Sequence, residues 1–107
     1  MKAIEILEKS TDTIKARGAV YDPSGKEERS MAQTVQVFNA LTGHELTERE
    51  GWIFMVCLKL VRAESTVRVV SSDLEESEET IQASESYMDS VLDGAAYLAL
   101  SGEAGAL

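Results

Sequence analysis

A chain of 107 residues, 44% hydrophobic and 27% charged, is one domain by size and too apolar to be globally disordered. Its net charge of −9 disfavours direct binding of nucleic-acid phosphates and favours a basic partner. The single cysteine, Cys57, excludes an internal disulfide; residues 1–7 carry Lys2 and Glu5 with no apolar core, which argues against a secretory signal and for a cytosolic (cytoplasmic) compartment.

Ile4, Leu7, Thr11 and Ile14 form one stripe at helical spacing, which predicts a first helix over 2–16 ended by Gly18. Tyr21, Asp22, Pro23, Ser24 and Gly25 read as a turn. Tyr21 and Arg17 beside that turn have the chemistry to grip a ligand, although a loop tyrosine more commonly folds back on the core. Ser30 is placed to cap a second helix with Met31, Val35, Phe38 and Leu41 on one face, and Gly43 stops it. The short link His44, Glu45, Leu46 predicts that this helix and the next lie as a tight pair.

Thr47 and Glu50 have capping-box spacing, and the apolar run from Trp52 to Val61 follows, so a helix is expected over about 48–64. Lys59 interrupts a run about half the ~20 residues of a membrane span. A helix apolar on nearly every side must be surrounded. It is therefore expected at the centre of the fold, with Cys57 as a small buried hydrophobe. Val67, Arg68 and Val69 alternate like an extended connector, and Ser71 and Ser72 precede Asp73, Glu75 and Glu76 as if starting an acidic helix. Leu74, Ile81 and Ala83 are its only apolar residues, so it docks lightly. A last helix carries the adjacent stripes Tyr87, Val91, Ala95, Leu98 and Met88, Leu92, Ala96, Ala99, with Gly102 and Gly105 fraying its end. Its continuity with the acidic segment through Ser84, Glu85 and Ser86 stays open. The fold expected is all-α: a compact single-domain bundle of four to five helices around the 48–64 helix, with an acidic segment at about 71–90.

Charge is segregated along the chain. Residues 1–70 hold ten acids and ten bases, whereas residues 71–107 hold nine acids and neither Lys nor Arg. The bland reading of this run is a solvated, solubilising face. Carboxylates three or four apart on a helix lie about 5 to 6 Å from one another, close to the spacing of phosphates along a nucleic-acid strand. Asp73, Glu75, Glu76, Glu78, Glu79 and Glu85 are thus candidate contacts to a protein surface built for nucleic acid.

Lys59 and Arg62 share one helix face, as do Asp89 and Asp93. Set against each other they form either an ion-pair cluster that fixes packing or a nucleotide site, with the carboxylates on Mg²⁺ and the cations on phosphate. His44 stands alone in a turn without zinc partners. No P-loop, G-x-G-x-x-G or G-x-S-x-G motif occurs.

The stretch Arg17, Gly18, Ala19, Val20, Tyr21, then Thr42, Gly43, His44, then Lys59, Leu60, Val61, Arg62 and finally Asp93, Gly94, Ala95, Ala96, Tyr97 resembles a family of small phage and prophage proteins. The resemblance covers about two thirds of the chain, with residues 64–84 like an insertion, and implies a phage-borne protein. The inward Lys, Arg and Asp on short helices are also similar to all-α nucleotide pyrophosphohydrolases of MazG type. In that family an E-x-x-E helix and an E-x-x-D helix surround Mg²⁺. Here Glu45 and Glu48 have the first spacing but fall in a turn, and Asp89 and Asp93 are four apart.

Two functions follow as expectations. The first, which the sequence favours, is a phage-encoded, non-enzymatic acidic inhibitor of anti-CRISPR or other DNA-mimic type. It acts without a cofactor, as monomer or homodimer, on a basic host protein. The second is a nucleotide-binding or Mg²⁺-dependent nucleotide-hydrolysing protein using Lys59, Arg62, Asp89 and Asp93.

Overall fold

The computed structural model describes residues 1–21, 30–72 and 78–106, with the backbone alone for Tyr21 and residues 69–72. Among these residues the regular elements are all α-helices: α1 (Ala3–Tyr21), α2 (Ser30–Thr42), α3 (Glu48–Ser72) and α4 (Glu78–Gly105). No described helix is long and apolar enough to cross a membrane. The Pro23 turn, Asp73, Leu74, Glu75 and Glu76 lie outside the described residues.

α2 ends where Gly43 takes a positive φ of 75° and its N–H donates to the Asn39 carbonyl, a conformation costly for residues with a Cβ. α3 starts on the expected capping box. The Glu50 N–H donates to Thr47 Oγ1 at 3.1 Å, while the Thr47 N–H and hydroxyl both donate to Glu50 Oε1. Two orphan amides of the first turn are thereby satisfied.

α3 and α4 form the frame, paired along their lengths, with α1 against α4 and α2 against α3. The frame is antiparallel: Arg49 lies beside Gly105, Trp52 beside Tyr97, and Lys59 beside Asp93. One apolar cluster joins the helices, with Met31 and Val35 from α2, Trp52 from α3, Tyr97 and Leu100 from α4, and Ile14 of α1 packed against it.

Several expectations are corrected. α3 runs on through Val67, Arg68 and Val69, so these are helical and Ser71 and Ser72 end a helix. β-branched residues disfavour a helix by only about 0.7 kcal/mol each, which continued packing on α4 outweighs. The continuity left open by the sequence is decided: the described acidic residues and the last helix are one α4, with Gly102 inside it and Gly105 at its end. α1 likewise continues past Gly18 to Tyr21.

The expected face of α1 docks only through Ile14, at its C-terminal end. Ile4 and Leu7 are 70% and 62% exposed, while Ser10 and Gly18 are buried. Ser10 Oγ donates to the Leu92 carbonyl of α4 at 3.0 Å. Small residues let the two backbones approach, and approach distance decides the face as much as hydrophobicity does. α3, too, is not enclosed: Phe54, Leu60 and Val61 are exposed, and so is Cys57. The most enclosed helix is α4, which carries buried Ala83, Ala96, Tyr97 and Leu100.

Candidate functional site

The antiparallel frame brings Lys59, Arg62, Asp89 and Asp93 to one cleft of about 420 Å³, which Ser65, Thr66, Ser86 and Ser90 also line. A shared face on each helix and an antiparallel register suffice to converge these side chains. Lys59 Nζ lies 3.0 Å from Asp93 Oδ2, with the lysine side chain more enclosed than the aspartate. Gly94 stands directly opposite the Lys59 Cβ, which lets the lysine stem lie flat on α4 with its head at the cleft.

The other two charges are not consumed in the same way. Among the described residues neither Arg62 nor Asp89 has an ion-pair partner within 4.0 Å, yet both line the cleft. One cation and one carboxylate thus remain available side by side. Arg62 offers a planar fork of donors suited to phosphate. The Ser65 hydroxyl donates to the Val61 carbonyl at 3.0 Å and the Thr66 hydroxyl to the Ala63 carbonyl at 2.7 Å. With their protons so engaged, these hydroxyls can offer the cleft only acceptors.

No group of three or more His, Cys, Asp or Glu side chains gathers as a metal site among the described residues. Asp89 and Asp93, one turn apart, fit the needs of Mg²⁺ when phosphate oxygens and water complete the octahedron. The Glu45–Glu48 pair does not join them: Glu48 opens α3, about 16 Å along the helix from Lys59 at 1.5 Å per residue.

The acidic set is only partly described. Glu78 and Glu79 are exposed in the first turn of α4 and Glu85 is exposed further along, while Asp73, Glu75 and Glu76 lie outside the described residues. The α4 sequence contains six acids and no Lys or Arg. His44 is an exposed loop residue stacked on Phe38, with ring centroids 5.8 Å apart. Arg17 lies over the ring of Tyr97, 5.1 Å from its centroid, in the core.

Sequence reasoning missed Asn39. Its Nδ2 donates to the Leu46 carbonyl and its Oδ1 accepts from the Leu46 N–H, each at 2.9 Å. This clamp closes the α2 to α3 link; an Asn four residues before a positive-φ glycine was the one available signal.

No protein-family model, curated protein or solved structure matches the chain, so the functional reading rests on the cleft and the charge distribution.

Proposed function

We propose that the chain is a nucleotide-binding protein whose site is the cleft between α3 and α4. The observation that carries this reading is that Arg62 and Asp89 line the cleft without pairing to each other or to another described charge. A purely structural ion-pair set would consume all four charges; here it accounts for Lys59 and Asp93 alone. In this reading Arg62 holds phosphate, and Asp89, with the Asp93 oxygen that Lys59 leaves free, holds Mg²⁺ brought in with it, which neutralises phosphate charge. The cleft volume lies within the range of about 300 to 1,000 Å³ usual for ligand sites. The reading is one of binding, because the acidic tetrad of the MazG-type hydrolases is incomplete among the described residues.

Thermal unfolding with and without a nucleoside triphosphate and Mg²⁺ tests it. The melting temperature should rise in the wild type, rise less in Arg62→Ala, and show no Mg²⁺-dependent part in Asp89→Asn. An unchanged melting temperature across a panel of nucleotides would end this reading.

A second reading has its own observation. With six acids and no base in α4, the helix suits docking on a basic, nucleic-acid-facing surface of a host protein, as a phage-encoded inhibitor would. Such binding weakens steeply with salt and on changing Glu78, Glu79 and Glu85 to Gln; salt-insensitive capture of a host protein would rule it out.

A further inference from the structure

α3 is apolar on a side that the other described helices leave uncovered. Trp52, Lys59 and Ala63 face α4 and are buried or half-buried. At 100° per residue Phe54, Cys57 and Val61 fall on the opposite side. Phe54 is 67% and Val61 64% exposed, and Cys57 is exposed between them. A helix apolar all round belongs in an interior. One chain supplies only half of that interior.

The total exposed surface, summed over the whole chain, leaves room for such a partner. The chain exposes 7574 Å², whereas a folded monomer of 11.7 kDa exposes about 5,900 Å². The excess, about 1,700 Å², compares with about 800 Å² removed from each partner in a standard complex and more in an obligate homodimer. The radius of gyration of 16.0 Å likewise exceeds the roughly 13 Å of a compact chain of this length.

We propose that the protein is a homodimer whose two-fold interface is the outer face of α3, with Phe54, Cys57 and Val61 at its centre. The occupant is a second copy because the stripe is self-complementary. It is bounded by Glu50 at one end and Arg68 at the other, about 27 Å apart. An antiparallel two-fold pairing sets Glu50 of each copy against Arg68 of the other, Cys57 against Val61, and Phe54 against the apolar stem of the exposed Glu64. The six acids of α4 lie behind the inner side of α3, away from the axis. Lys59 faces α4, so the cleft stays open and the dimer does not depend on what it binds.

Sedimentation of the full chain tests this. The expected mass is twice 11.7 kDa, falling to half of that dimer mass in Val61→Glu with helical circular dichroism retained, since an exposed valine supports little within the protomer. In Arg68→Glu at low salt the dissociation constant should rise about tenfold from like-charge contact. Should Val61→Glu fail to fold, the native protein still gives a readout, because Cys57 should react with a maleimide at least ten times faster after dilution to monomer. A wild type that stays monomeric at millimolar concentration overturns the proposal and leaves the face to a different protein. So does a dimer that persists in both Phe54→Glu and Val61→Glu, or one in which Cys57 reacts at the monomer's rate.

Discussion

The Trp52 indole stacks on the Tyr97 ring with centroids 5.5 Å apart and planes inclined by 21°, which ties α3 to α4 at the centre of the core. Both side chains are almost fully enclosed, at 2% and 3% exposure. Offset stacking of this kind contributes about 0.5 to 1.5 kcal/mol beyond area burial. A double-mutant cycle of Trp52→Leu and Tyr97→Leu should therefore show a coupling of about 1 kcal/mol, measured by urea denaturation. Strict additivity would mean that the rings merely fill space. Trp52→Ala should cost about 3 to 5 kcal/mol, the usual loss for a large core aromatic.

The capping box of α3 makes a prediction about pH. Hydrogen bonds from the Thr47 side chain and backbone hold the Glu50 carboxyl below its ordinary value. A carboxylate with a lowered folded-state pKa adds stability that is fully present above the unfolded value near 4.5. That stability is lost as pH falls through the lower folded value. Acid titration of the wild type and Glu50→Gln should therefore show a loss in the wild type below that pH that is absent from the variant. Thr47→Ala removes the cap and should cost about 1 kcal/mol at neutral pH; equal acid sensitivity in wild type and Glu50→Gln would contradict the assignment.

Asn39 clamps both backbone groups of Leu46 across seven residues. Asn39→Ala leaves a part-buried donor and acceptor unpaired, at a cost of about 1 to 3 kcal/mol. Asn39→Asp should be no better, because a carboxylate can accept from the Leu46 N–H but repels its carbonyl. Amide exchange of Leu46 reports the clamp directly and should accelerate in both variants.

Two glycines facing helix partners should respond to alanine in opposite ways. A Cβ on Gly51 would lie 2.8 Å from Val35 Cγ1 and closer than 3 Å to the Met31 sulfur. The methionine can swing away but the β-branched valine is stiff, so Gly51→Ala should loosen α2 from α3 and lower stability by about 1 to 3 kcal/mol. A Cβ on Gly94 would meet only the Lys59 Cβ, at an ordinary 3.5 Å, so Gly94→Ala should stabilise by about 0.8 kcal/mol through helix propensity. Melting curves of the two variants that moved in the same direction would refute this account of the interfaces.

Local signals were the most legible part of the sequence. The capping box at Thr47 and Glu50, the stop at Gly43 and the short link between α2 and α3 each depend on residues a few positions apart, and the structure contains all three. The convergence of Lys59, Arg62, Asp89 and Asp93 was also legible, because pairs three and four apart each share one side of a long helix and can meet in an antiparallel register. Which of the four would pair was not, since that depends on side-chain reach across a gap that only the assembled frame defines.

The choice of docking face was beyond the sequence. Helical periodicity states which residues share a side, and in α1 it marks Ile4, Leu7, Thr11 and Ile14, yet of these only Ile14 packs on the core, beside the buried Ser10 and Gly18. In α3 the apolar residues occur on every side, so periodicity selects none. The sequence by itself determined that the chain is helical, where α2 stops and α3 begins, and that its negative charge collects in the last third. The tertiary structure decided which faces meet, because that outcome depends on how closely two backbones approach and on which neighbour reaches each face, and neither quantity is a property of a single helix.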